Sequence, residues 1–256
     1  MVVARYLMAS ALLWWPAASL AQQGGDSQAQ ILYAYQTEDT NSLVNLIEDF
    51  TTQLNADGSD ASLRYHLAHA QYRRGLLAVA GAGDGAGAAG AGLAESAFAD
   101  CVDELKPLVS QDVKSPETLI LQSACYSALA KLRKLDSGWT RSRADERLKA
   151  ALKLAPRNPR AVYLSSMEEF RQAKPGTALR QHAFAQLQLA AQLFDASPAT
   201  NVDAPGWGHA EAYLALGREL QSRGDQVGAR NWIEKSLIVA PDYKAAQRQL
   251  AQLVRH

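Results

Sequence analysis

Cysteine is scarce: two residues in a chain of 256, so disulfides cannot replace a hydrophobic core. A charge excess is lacking as well. Lys and Arg number 26, Asp and Glu 26, and the net charge is zero. That balance argues against a broad nucleic-acid-binding face. No apolar run reaches the ~20 residues that a membrane-spanning helix needs. Aromatics make up only 7% and Ile occurs five times, which disfavours strand. Chemistry-bearing motifs are missing too. The sequence holds no Gly-Lys-Ser/Thr phosphate loop, no Gly-x-Ser-x-Gly elbow, no His-Glu-x-x-His and no Cys-x-x-Cys. What is abundant is Ala (47) and Leu (34), the vocabulary of helices. With 48% hydrophobic residues the chain can bury a proper core.

Residues 1–21 read as a secretory signal peptide. Arg5 is their only charge, Leu7 to Trp15 form the apolar stretch, and Pro16 breaks it. Ser19 and Ala21 are the small residues before a cut at Gln22. The stretch is too short to anchor comfortably, so no integral membrane segment is expected after cleavage. A periplasmic or secreted product follows. Residues 22–40 read as a flexible leader, and residues 41–256 as one helical domain.

Within that domain, apolar residues recur at helical spacing and nothing alternates with period two. Asn41 to Leu54 and Asp60 to Gly75 form the first helices. Gly81 to Gly92, with six Gly and five Ala, reads as a flexible loop, because each Gly costs a helix interior about 1 kcal/mol. Helix resumes at Leu93. Ser115-Pro116 and Asn158-Pro159 are cap-plus-proline starts. Helices are expected over 119–135, 143–154, 159–173 and 177–194, then a Pro/Gly-rich connection and three more helices.

Ala210 to Tyr243 carries the clearest pattern. Tyr213, Leu216, Gly217, Leu220, Ala229, Ile233, Ser236 and Pro241 fall at the positions that define a tetratricopeptide (TPR) repeat, so this stretch closely resembles that family. Gly217 and Ala229 suit close helix approach, and Pro241 ends the second helix. Weaker resemblance covers Asp60 to Tyr243. Ala144, Leu148, Ala151 and Pro156 match a second helix, reached through a longer turn than the family uses. Leu67-Ala68 and Gly75 match a first helix that departs at Arg64. Ser165-Ser166 replaces the Leu-Gly pair. The resemblance implies an all-α fold, a right-handed α-solenoid of stacked hairpins with a C-terminal capping helix.

By the same resemblance, a concave groove would be lined by Tyr65, Tyr72, Arg160, Tyr163, Met167, Phe170, Arg171, Leu214, Arg218 and Gln221. The register of the degenerate repeats leaves a second reading open, in which Tyr163 and Phe170 merely pack. Cys101 and Cys125 lie at equal offsets from a turn near residue 113, so a disulfide is geometrically open and export favours it; two buried free thiols are the alternative. His66 and His69 are three apart on one helix but lack a third ligand, so no metal and no cofactor is expected. Glu168 and Glu169 diverge around a helix and cannot flank one atom. The leading expectation is a non-enzymatic adaptor that binds a protein or peptide in the cell envelope. The alternatives are a small-ligand carrier or sensor, and an enzyme on a helical scaffold. A compact pocket with converging polar groups would favour the ligand, an open groove the peptide.

Overall fold

The computed structural model describes residues 18–81, 87–110, 115–133, 136–197 and 205–255, with side chains from residue 26 onward. The signal-peptide reading falls almost wholly outside them. The described residues form eleven helices and no strand. These are α1 (Ala18–Gln36), α2 (Thr40–Ala56), α3 (Ala61–Gly81), α4 (Gly87–Ser110), α5 (Pro116–Leu132), α6 (Ser137–Leu154), α7 (Pro159–Gln172), α8 (Ala178–Asp195), α9 (His209–Ser222), α10 (Gln226–Val239) and α11 (Lys244–Val254). None of them is long and apolar enough to cross a membrane.

Four hairpins stack in sequence: α3 with α4, α5 with α6, α7 with α8 and α9 with α10. The helices α1 and α2 flank the first hairpin, and α11 covers the last. This is a solenoid of helical hairpins. The best repeat shows why its residues are small. A Cβ on Gly217 would sit 2.5 Å from Ile233 Cγ1 and 3.0 Å from the Ala229 carbonyl oxygen. Ser236 is buried and its hydroxyl donates to the Ala210 carbonyl (2.8 Å), tying α10 to α9. Asn158 accepts from the backbone N–H groups of Arg160 and Ala161, closing the start of α7. Ser115 stands at the corresponding place before α5, but its hydroxyl makes no cap bond, and Pro116 alone marks the start.

Four segments differ from the sequence reading. The leader is helix: α1 covers residues 18–36, and Ile31 and Ala34 are buried with Leu43, Ile47 and Phe50 of α2 and Leu67 of α3. The Gly/Ala stretch is not a loop throughout. Helix α3 runs on to Gly81 and α4 starts at Gly87, six residues before Leu93. Gly90, Ala94, Ala97 and Phe98 form its buried stripe, so small residues rather than Leu93 face the partner helix. Gly75 lies inside α3, where Phe98 packs so closely that a Cβ would be 2.5 Å from its ring. Finally, α6 begins at Ser137 rather than Arg143, so the turn after α5 is short. Thr140 donates to the Asp136 carbonyl (2.8 Å), and Trp139 packs edge-on against Tyr126.

Arg64, polar where the repeat pattern wants a large apolar residue, pairs with Glu104 of α4 (2.7 Å). Cys101 of α4 and Cys125 of α5 are joined by a disulfide, with Cα atoms 6.2 Å apart. The bond links two neighbouring hairpins, and both sulfurs are buried.

Candidate functional site

The first helices of the four hairpins, α3, α5, α7 and α9, share one concave face. A cavity of about 690 Å³ opens there, lined from α1 to Tyr243. Its size is within the usual range of ligand sites.

One end of the cavity is built by the two extremes of the chain. Arg73 of α3 donates through Nη2 to Glu211 Oε1 of α9 (2.7 Å), an ion pair between the first and last hairpins. Arg73 is only 2% exposed. Its guanidinium lies 4.2 Å from the ring centre of Tyr35 and 5.6 Å from that of Tyr72. Tyr35 in turn meets Tyr243, hydroxyl to hydroxyl at 3.4 Å. Outside the cavity, Arg248 of α11 pairs with Glu38, just after α1. Side chains from the first and last helices therefore meet across one end of the concave face.

Trp207 plugs this end. It belongs to the connection between α8 and α9, yet it is 2% exposed. Its indole N–H donates to the Tyr65 hydroxyl (3.2 Å), and its carbonyl accepts from Arg160 Nε (2.9 Å). Gly206 beside it donates to Gln28 of α1 (2.9 Å). Gly208 follows with φ +102°, a left-handed conformation, and a Cβ there would strike Phe194 at 2.8 Å. The free N–H of Gly208 donates to the second oxygen of Glu211 (3.0 Å).

Burial raises the pKa of every phenol here. Tyr72 is pushed up to about 12, and Tyr163 rises further through burial and then the negative charge of Glu211. Tyr35 and Tyr243 are raised, again chiefly by burial. The phenols therefore stay protonated at physiological pH. Burial works against the charge of Arg73, but Glu211 and the neighbouring tyrosines hold its pKa up. His69 accepts from Arg73 Nε (3.0 Å), and burial, then Arg73, depress its pKa well below 6.5. Its lone pair is thus engaged by Arg73. Among the described residues no three His, Cys, Asp or Glu side chains gather as a metal site.

The walls are mostly apolar, with Leu76, Ala128, Leu148, Leu164, Leu187 and Leu214, interrupted by Ser123, Ser127 and Asp145. The far side, at the last turns of α7 and α9, is charged. Arg171 pairs with Glu168, and Arg180 reaches from α8 to Glu219 (2.9 Å). Phe170 lies beneath Arg180, 5.4 Å from its guanidinium carbon.

Of the groove residues expected from sequence, Tyr72, Tyr163, Met167, Phe170, Arg171, Leu214 and Arg218 line the cavity. Three do not. Tyr65 is buried behind Trp207, and it borders a second hollow of about 340 Å³ with His66 and Glu117. Arg160 holds the Trp207 carbonyl and Glu117 (3.3 Å), so it braces the plug. Gln221 accepts from Gln249 of the capping helix. Sequence reasoning missed Tyr35, Arg73, Trp207 and Tyr243. Tyr35 lies in the segment read as leader and Trp207 in the segment read as connection. Only the bulk of these aromatics in otherwise polar stretches hinted at burial.

No family model and no curated protein matches the sequence. Solved structures similar in fold include the following two. A thermophilic TPR protein from Thermus thermophilus is 19% identical, with a TM-score of 0.62, covering 92% of this chain and 100% of its own. The HusA haemophore from Porphyromonas gingivalis is 20% identical, with a TM-score of 0.58, covering 79% of this chain and 93% of its own. Stacked hairpins, the close approach at Gly217 and these two likenesses lead to one conclusion: the chain has a TPR-like fold.

Proposed function

We propose that this chain is a non-enzymatic binding protein of the cell envelope, and that its concave cavity encloses one compact ligand. The observation that carries the reading is the meeting of the first and last helices across one end of the concave face. Arg73–Glu211, Tyr35–Tyr243 and the Trp207 plug fill the end through which an extended peptide would have to continue. A cavity narrowed at that end, with leucines along its walls and converging polar groups, suits a compact molecule or a partner's terminal segment. The haemophore among the similar folds is consistent with a carrier. The buried disulfide is consistent with export.

A protein or peptide partner is the second reading. It is favoured by the charged lip, where Lys131 and Arg218 are exposed and make no ion pair among the described residues. A photoreactive residue at Phe170 in living cells, with Lys235 as control, separates the two. Lys235 lies over Trp232 on a different surface, 4.3 Å from its ring centre. Native mass spectrometry of the protein isolated from its own envelope completes the test. A bound mass of small-molecule size, with no polypeptide captured at Phe170, is the expected result. Capture of one polypeptide at Phe170 but not at Lys235 would establish the peptide reading instead. Equal capture at both positions would remove the cavity from either account.

A further inference from the structure

The inner end of the cavity carries two phenol hydroxyls that can each donate a hydrogen bond. Tyr72 and Tyr163 both line it, and neither hydroxyl makes a hydrogen bond among the described residues. The acceptors beside them are engaged. Glu211 spends one oxygen on Arg73 and the other on Gly208. The oxygens of Tyr35 and Tyr243 face each other. These hydroxyls are open to the cavity rather than sealed in the core, so a ligand that supplies an acceptor makes hydrogen bonds that the protein itself does not supply.

Charge decides which acceptor fits. Arg73 is the buried cation of this end, and Glu211 already neutralises it at 2.7 Å. A ligand carboxylate here would be a second negative charge beside Glu211, matched by one guanidinium and removed from water. Such an uncompensated buried charge is strongly unfavourable. The field of Glu211, which helps raise the pKa of Tyr163, would repel it in the same way. A neutral oxygen suffers neither penalty. Beyond the phenols the walls carry leucines from Leu76 on α3 to Leu214 on α9, with Ser123, Ser127 and Asp145 among them.

We propose that the inner end of the cavity recognises the neutral carbonyl oxygen of an otherwise apolar molecule, through the hydroxyls of Tyr72 and Tyr163. The proposal rests on the reading of the cavity as a ligand site and specifies its chemistry. Both hydroxyls donate to the carbonyl oxygen, Arg73 and Glu211 stay paired, and the apolar body of the ligand lies along the leucines. Any acidic group would stay outward, toward Lys131 and Arg218.

Three probes with one naphthalene frame test this: 6-propionyl-2-(dimethylamino)naphthalene, the 6-carboxylate, and the unsubstituted 2-(dimethylamino)naphthalene. Each is titrated by fluorescence into the wild type, Tyr72→Phe, Tyr163→Phe and the double variant. The phenylalanines keep the rings and hence the packing, which far-ultraviolet circular dichroism verifies. The ketone should bind at least about tenfold more tightly than the other two. Each lost hydroxyl should weaken the ketone about fivefold and leave the unsubstituted probe unchanged. Emission of the bound ketone should also move to the blue in the double variant, as its carbonyl loses both donors. If the carboxylate binds most tightly, or if the variants leave the ketone's advantage intact, the acceptor proposal is overturned. If all three bind alike and Leu214→Arg abolishes binding, the cavity is a ligand site and only the carbonyl proposal fails. If none of the three binds, both readings fail.

Discussion

Removal of the Glu211 carboxylate tests the contact between the first and last hairpins most directly. In Glu211→Gln the guanidinium of Arg73, 2% exposed, keeps its charge and loses its counterion. Breaking one side of a buried pair costs about 3–5 kcal/mol. The amide still offers an oxygen to the Gly208 N–H, so the start of α9 is largely kept. Arg73→Met with Glu211→Gln removes both charges while keeping an apolar stem beside Tyr35. It should recover at least half of the loss, although His69 Nε2 then lacks its donor. Urea unfolding followed by circular dichroism gives the energies. Hydrogen exchange gives the location: protection should fall first at α1 and α11, whose contacts Tyr35–Tyr243 and Glu38–Arg248 depend on the same seam. A single variant within about 1 kcal/mol of wild type would refute the reasoning, as would a double variant no better than the single.

Three further outcomes are expected. Gly217→Ala should destabilise by about 1–3 kcal/mol, because its Cβ meets Ile233 at 2.5 Å, whereas Gly92→Ala, with open space around it, should stabilise α4 by about 1 kcal/mol; thermal melts separate the two signs. Replacing Cys101 and Cys125 by Ala should cost about 3 kcal/mol for a loop closed over a sequence separation of 24, and the buried bond should resist dithiothreitol until urea opens the chain, as thiol counting would show. Burial depresses His69, and to a lesser extent His66, below 6.5. The unfolded chain then takes up protons that the folded chain refuses. Stability is therefore full above about pH 6.5 and falls as pH drops below it, by at most about 1.4 kcal/mol per pH unit for each histidine. In His66→Gln with His69→Gln the urea midpoint should be flat between pH 6.5 and 5; a slope equal to that of wild type would exclude the histidines as its source.

The helical hairpins were legible because their signals are local. Gly217, Ala229 and Pro241 each constrain the chain within a few residues of themselves, and so do Asn158 and Pro159. Seven of the residues expected on the concave face do reach the cavity, since the inward positions of a first helix follow from its own periodicity. What could not be read depends on closure over long separations. Arg73 meets Glu211 across 138 residues, and Tyr35 meets Tyr243 across 208, and no spacing rule connects them. Arg160 takes an inward position by the repeat pattern, but its guanidinium holds the carbonyl of Trp207, which comes from the Pro/Gly-rich connection. The Gly/Ala stretch misled for a different reason. Propensity counts the entropy cost of Gly, but Gly90 is buried, where tertiary packing outweighs that cost.

The seam between α1 and α11 has a consequence for how such a chain can change over time. An open stack of hairpins can be lengthened or shortened by whole units, since each newcomer needs only one neighbour. Here an inserted hairpin would carry Glu211 and Tyr243 away from Arg73 and Tyr35, and a deleted one would force them past each other. The number of units is therefore fixed by geometry, and variation is confined to what the walls of the chamber are made of.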